Sequence, residues 1–210
     1  MKAFAPDRIR NVALVGPPGS GKTSLAEAML FRAGALSRVG RVEDGSTVCD
    51  HEPAEKEIGH SLTTALAVLE WQGHKINLLD TPGHQDFSED TYRALTAADS
   101  AIMLLDNRKG VESQTRKLFN VCQRRRLPIF TLVNKCDRVG EDPLGIIDDV
   151  QNELGIRAFA ATWPIRKDGR LIGVYDRADN RVVLYTSAED HGASRPEFVV
   201  VGLDDDLLEE

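Results

Sequence analysis

Short apolar runs alternate along most of the chain with longer stretches of mixed polarity. Strand-like runs and helical stretches follow one another over 12–15, 22–33, 64–71, 75–80, 89–98, 101–105, 112–126, 128–133 and 143–154. Val12-Ala13-Leu14-Val15, Ile76-Asn77-Leu78-Leu79 and Ile129-Phe130-Thr131-Leu132-Val133 are compact and apolar, as buried parallel strands are. Lys22 to Leu30 holds helix formers and no proline. This alternation predicts an α/β fold: an open, mostly parallel sheet with helices on both faces. Residues 34–62 show little periodicity, and a connection of that length is usually functional. From Gly155 onward the texture becomes β-rich, with short runs at 169–175, 181–185 and 198–201. Thr162, Trp163 and Pro164 read as a packing corner.

Polar turns follow three of the strand-like runs, where an open α/β sheet gathers its ligand loops. The first is Gly16-Pro17-Pro18-Gly19-Ser20-Gly21-Lys22-Thr23, with Ser24 next, between a predicted strand and a predicted helix. Glycines let the backbone wrap an anion, and loop N–H groups with the helix N-terminus make a partial positive cradle. Lys22 would reach β- and γ-phosphate oxygens, and the Thr23 hydroxyl would bind Mg²⁺. Alone, this turn specifies a nucleoside triphosphate and no particular base.

The second turn is Asp80-Thr81-Pro82-Gly83-His84. Asp80 suits a magnesium site approached through water, Gly83 leaves room for a γ-phosphate, and His84 suits positioning an attacking water. Taken singly, Asp80 reads equally well as a helix cap, and His84 as a surface histidine. The third turn, Asn134-Lys135-Cys136-Asp137, supplies base choice. A carboxylate at Asp137 accepts from the ring N–H and exocyclic amine of guanine, a donor pair adenine lacks. Asn134 would tie this turn to the phosphate loop, and the stem of Lys135 suits the ring face. In this order, the three turns point to a Mg²⁺-dependent GTP site. An ATP-using reading would leave Asp137 unexplained.

These motifs resemble the GTPase domain of the translational GTPases, P-loop NTPases of the elongation factor G and release factor 3 branch. Asp80 to His84 with Asp86-Phe87-Ser88-Glu89-Asp90-Thr91-Tyr92-Arg93 is similar to the release factor 3 pattern. So are Gly110-Val111-Glu112, Thr115 to Leu118, Thr162 to Ile165 and Gly173-Val174-Tyr175, whereas Gly40 to Thr47 resembles elongation factor G-like proteins. The resemblance implies GTP/GDP and Mg²⁺ as ligands and hydrolysis with His84 catalytic. It implies the ribosome as a partner and a release factor 3-like role promoting departure of class-1 release factors. An elongation factor G-like translocation or recycling role stays open, as does a nucleotide-binding module without turnover. The resemblance further implies Thr23, Asp80 and Ser61 as metal-side residues, with Thr63 and Thr64 as alternatives to Ser61. It divides the chain into a GTPase core, 1–157, holding a long switch at 34–62, and a β-rich insertion, 158–210. The chain is expected to end before a last guanine-contacting loop and the downstream domains. Thr186-Ser187-Ala188 reads as an accidental match to that loop.

Three positions depart from the family pattern. Gly19 stands where an aspartate is usual, Ile58 where an arginine is usual, and His60 where an apolar residue screens the catalytic histidine. His60 is therefore expected to alter intrinsic turnover or its coupling to a partner.

Composition narrows the setting. The chain has 210 residues, 41% hydrophobic and 28% charged, values of a globular protein with a sizeable core. No apolar run approaches the ~20 residues of a membrane span, and the first residues lack a signal-peptide pattern. Cys49, Cys122 and Cys136 are scattered without zinc-ligand spacing and read as free thiols of a cytoplasmic protein. A net charge of −7 argues against broad nucleic-acid binding, and no direct DNA binding is expected. Arg116, Lys117 and Arg124 to Arg126 form a local basic patch that reads as the solvated end of a helix or a ribosomal contact. The acidic 204–210 tail reads as solvated.

Overall fold

The computed structural model describes residues 3–50, 52–185 and 198–202. The chain divides into two compact units, Met1–Leu105 with Glu112–Asn134, and Asp106–Val111 with Lys135–Glu210.

The first unit is built on a five-stranded sheet. Its elements are β1 (Ile9–Val15), α1 (Lys22–Arg32), α2 (Pro53–Ile58), β2 (Ala65–Trp71), β3 (His74–Asp80), α3 (Ser88–Ala97), β4 (Ser100–Asp106), α4 (Ser113–Arg124) and β5 (Ile129–Asn134). The strand order is β2-β3-β1-β4-β5. β1 runs parallel to β3 and β4, and β2 is an antiparallel edge on β3. The β2–β3 turn is the pair Gln72-Gly73, both at positive φ, which suits the twist of a two-residue hairpin.

Alternation along the strands explains the two-sided core. Leu14, Leu78 and Leu104 lie on one face, fully buried with Ala26 and Leu30 of α1 and with Cys49. Each such leucine contributes about 2 kcal/mol through burial. Ala13, Val15, Met103 and Leu105 point to the other face and are equally buried. Both faces are therefore covered; α1 touches β1, β2 and β3, and α3 touches β1. The expected mostly parallel α/β architecture is present. Because Leu14 pairs with Asp80, the ends of β1 and β3 finish side by side.

In the second unit, α5 (Pro143–Leu154) starts at Asp142, whose carboxylate accepts from the N–H groups of Leu144 and Gly145, and ends at Gly155. An antiparallel sheet follows: β6 (Thr162–Lys167), β7 (Arg170–Asp176), β8 (Arg181–Tyr185) and β9 (Phe198–Val201), in that order.

Two elements differ from the pattern reading. The aperiodic 34–62 connection contains α2. Six residues are too few to show a period, so its signals are its ends: Pro53 in the first turn, a Glu52/Glu55 capping box, and Gly59 in the left-handed region. Thr162, Trp163 and Pro164 are the first residues of strand β6 and form no corner. Proline donates no N–H, and β6 tolerates it because it is the sheet's edge strand. No helix among the described residues is long and apolar enough to cross a membrane.

Candidate functional site

The phosphate loop leaves β1 at Gly16 and returns as α1. Gly16, Pro17 and Ser20 are buried, while Pro18, Gly19 and Ser24 are exposed. Lys22 is buried and folds back, its Nζ donating to the carbonyls of Gly16 and Pro17 at 3.0 Å each. Burial pushes the Lys22 ammonium down to about 8, with Asp80 and Asp50 opposing. The Ser20 hydroxyl is buried without a hydrogen-bond partner. A bound anion would satisfy both groups.

The second turn lies directly against this loop. A Cβ on Gly83 would sit 2.6 Å from Lys22 Nζ and 2.8 Å from Pro18, so only glycine permits the approach. Thr81 Oγ1 donates to Leu14 O at 2.7 Å and Thr91 Oγ1 donates to Pro82 O at 3.1 Å, pinning the turn to β1 and α3. Asp80 is fully buried, and neither of its carboxylate oxygens has a hydrogen-bond partner. Burial raises its pKa to about 6; the nearby Thr23 hydroxyl and Lys22 ammonium pull the other way, and Asp50 and Glu55 push it further up.

Beside it, Thr23 Oγ1 lies 3.3 Å from Ser61 Oγ, and Ser61 Oγ donates to Asp50 Oδ1 at 2.7 Å. Thr47 Oγ1 donates to Asp50 Oδ2 at 3.1 Å. Of the three candidate switch hydroxyls, Ser61 is the one hydrogen-bonded to Thr23. Thr63 Oγ1 instead faces Glu55, 3.4 Å away, and the Thr64 N–H donates to Asp90. An orphaned buried carboxylate among hydroxyls is a donor set for a hard divalent cation. Among the described residues no group of three or more His, Cys, Asp or Glu could hold a metal. A cation here would therefore need phosphate oxygens to complete its shell, as Mg²⁺ does in nucleotide sites.

His84 is half exposed, with Nδ1 3.3 Å from Asp86 Oδ2 and 3.4 Å from Asp86 N. Its ring stacks on His60, with centroids 6.3 Å apart and planes 25° from parallel. The departure at His60 therefore touches the residue expected to be catalytic. The Ile58 side chain lies outside the described residues.

Asn134 ends β5 and donates from Nδ2 to Ser20 O at 2.8 Å. Gly21, at φ +96°, closes on this amide so tightly that a Cβ would fall 2.3 Å from Nδ2. Lys135 and Asp137 open the second unit. Lys135 has φ +61°, and its Nζ pairs with Asp106 Oδ2 at 2.7 Å. Although burial raises the Asp106 pKa, bonds from Lys135 and the Arg108 N–H outweigh it and hold the carboxyl below its ordinary range. Asn107 Nδ2 donates to Arg138 O at 3.2 Å, and the Glu141 N–H donates to Asn107 O at 2.9 Å. The Asp137 carboxylate is largely exposed, 3.8 Å from Arg138 Nε.

Asp50, Glu27, Asp106 and Asn107 stand outside the motifs that the sequence singles out. Each is buried and polar. The available signal for Glu27 is its place four residues after Thr23, on the same helix face. Thr186-Ser187-Ala188 and the 204–210 tail lie outside the described residues. Of the three cysteines, Cys49 and Cys122 are buried and Cys136 is half-buried.

Comparison with known proteins places this geometry. Residues 7–204 match the family model described as the elongation factor Tu GTP binding domain. Peptide chain release factor 3 of a Cyanothece species is 45% identical over 207 residues, 97% of this chain and 38% of that protein. The same factor of Gloeothece citriformis is 45% identical over 205 residues, 96% of this chain and 38% of that protein. The chain thus spans 38% of the length of these curated relatives. A solved crystal structure of a Thermus thermophilus protein superposes with TM-score 0.82 at 36% identity, over 90% of this chain and 28% of that one.

Proposed function

The chain belongs to the elongation factor Tu GTP-binding domain family, a family of translational GTPases, and on that premise we propose that it binds GTP and GDP with Mg²⁺ and hydrolyses GTP on the ribosome in a release factor 3-like role. The observation that carries the reading is the oxygen cluster beside Lys22, in which Thr23, Asp50 and Asp80 are buried and Ser61 is half-buried. The finer role, promoting departure of class-1 release factors in the cytoplasm, is what the motif resemblance implies; the name peptide chain release factor 3 carried by relatives 45% identical to this chain supports it.

Lys22 exchanges its two loop carbonyls for β- and γ-phosphate oxygens, whose negative charge favours the ammonium form. Ser20 Oγ gains an acceptor. Thr23, Ser61 and Asp80 would hold the cation, which would supply neutralisation of charge on the phosphates. Asp50 accepts the Ser61 proton in a hydrogen bond and so aims the Ser61 lone pairs toward Thr23. His84, steadied on one side by Asp86 and on another by the His60 ring, orients water towards the γ-phosphate. Asp137 reads the guanine edge, and Asp106 fixes the Lys135 stem beside it. The residues named in this chemistry all fall within the core at 1–157.

Titration of the 210-residue chain with fluorescent GTP and GDP, with and without Mg²⁺ and against competing ATP, tests binding. Single-turnover hydrolysis with and without ribosomes tests catalysis. Equal competition by ATP, or binding indifferent to Mg²⁺, would overturn the reading. Tight GTP binding with no turnover in either setting would leave a binding module in its place.

A further inference from the structure

Glu27 has no part in the chemistry above, yet it is fully buried on the helix that carries Lys22 and Thr23. Its two carboxylate oxygens face the long connection. Oε2 accepts the Gly40 N–H at 3.0 Å and Oε1 accepts the Val48 N–H at 2.5 Å. These residues form the neck of a small loop. Within it, the Ser46 N–H donates to Arg41 O, the Gly45 N–H to Val42 O, and the Arg41 N–H to Ser46 Oγ. At the neck the backbones press together: a Cβ on Gly40 would lie 2.4 Å from Ser46 O.

The neck leads straight to the metal-side residues. After Val48, Cys49 is sunk into the core with Ala26 and Leu30, the apolar neighbours of Glu27 on α1. Asp50 follows, holding Ser61 Oγ, which meets Thr23 Oγ1. Thr23 lies one turn before Glu27, on the same helix face. The contacts therefore close a circuit: α1, loop neck, Cys49, Asp50, Ser61, and back to α1. A carboxylate removed from water and bonded to two backbone N–H groups is a poor way to gain stability alone. It is an effective way to fix a connection that must present its oxygens at one spot.

We infer that Glu27 is a positioning residue for the GTPase reaction: it clasps the neck of the 40–48 loop and so sets Asp50 and Ser61 against Thr23. The inference rests on the reading of Thr23 and Ser61 as metal-side hydroxyls. It separates two functions on one helix, with phosphate binding at Lys22 and the registration of the connection at Glu27.

The test uses Glu27→Ala and Glu27→Gln in the full chain, with four readouts: hydrogen exchange, hydrolysis, GDP affinity and melting temperature. Amide hydrogen exchange at Gly40 and Val48, in nucleotide-free protein, should rise by about tenfold or more in Glu27→Ala and by less in Glu27→Gln, as expected for lost charge-assisted bonds. Mg²⁺-dependent single-turnover hydrolysis should fall by about tenfold, while Mg²⁺-free GDP affinity stays within about threefold. Gly40→Ala, which forces the neck apart with Glu27 intact, should reproduce the loss and supplies the test if Glu27→Ala fails to fold. Unchanged exchange at Gly40 and Val48 overturns the clasp. A parallel fall of GDP affinity, hydrolysis and melting temperature makes Glu27 an ordinary core residue and overturns the positioning role. A parent chain that fails to bind GTP sinks the functional reading separately, and the exchange arm still decides the clasp.

Discussion

Removing the charge of Asp80 should move stability and function in opposite directions. Both carboxylate oxygens are buried and unpartnered, and burial lifts the pKa from 3.8 to about 6. A shift of roughly two units corresponds to about 3 kcal/mol between the protonation states. The sign follows from proton counting. The folded chain holds the proton more tightly than the unfolded chain, so stability falls as pH rises from about 4 through about 6. Above that window the metal-free protein carries the full penalty of a buried anion. Asp80→Asn removes the anion, but it also gives up the favourable influence of the Thr23 hydroxyl and the Lys22 ammonium and leaves an amide to satisfy. About half the penalty is recovered, a net gain of roughly 1–2 kcal/mol, or about 3–5 °C for a domain of this size. Thermal melts in EDTA at pH 7.5 should show that gain, and it should shrink at pH 5, where the parent carboxyl is largely protonated. The same variant should lose the Mg²⁺-dependent part of nucleotide stabilisation. A less stable variant in EDTA at pH 7.5, or a gain of equal size at both pH values, would refute the argument.

Five further variants have expected outcomes. Asp137→Asn should weaken GDP binding by about 2 kcal/mol or more through lost charge-assisted bonds; Asp106→Ala should weaken it less, and its effect should vanish in a Lys135→Ala background, as a double-mutant titration would show. His84→Ala should lower hydrolysis with nucleotide affinity nearly intact, and His60→Ile should change intrinsic or ribosome-stimulated turnover; unchanged rates in both settings would remove His60 from the mechanism. Gly21→Ala should dislodge the Asn134 amide from Ser20, because the new methyl would fall 2.3 Å from Nδ2, and guanine affinity measured by titration should drop at least tenfold from the lost tie and the φ strain.

The parts of the fold that announce themselves in the sequence are those whose signal is local. Val12 to Val15, Ile76 to Leu79 and Ile129 to Val133 are apolar runs ending in polar turns, and each is a strand at its expected place. Ends are less legible: β1 begins at Ile9, because Arg10 and Asn11 interrupt the apolar run. α2 is too short for periodicity, and Pro164 disguises an edge strand. The motif residues of the site stand in recognisable turns. Their supports do not. Glu27 finds its partners 13 and 21 residues away on backbone N–H groups, a relation no spacing rule encodes. Asp50 and Asp106 look like ordinary loop acids until burial and pairing single them out. Spacing does not separate Ser61 from Thr63 and Thr64, since each is a hydroxyl after the same glycine; their different partners, Thr23 and Asp50 for Ser61 and Glu55 for Thr63, appear only in three dimensions.

The thiol of Cys49 lies beneath the clasped connection, nearly inaccessible and with its pKa driven upward by burial and by the carboxylates around it. Alkylation requires an exposed thiolate, so a docked segment is chemically silent. Each excursion that lifts residues 40–50 off α1 uncovers this sulfur, and the modification rate then counts such excursions. The protein thereby carries its own stopwatch for how often that segment leaves α1.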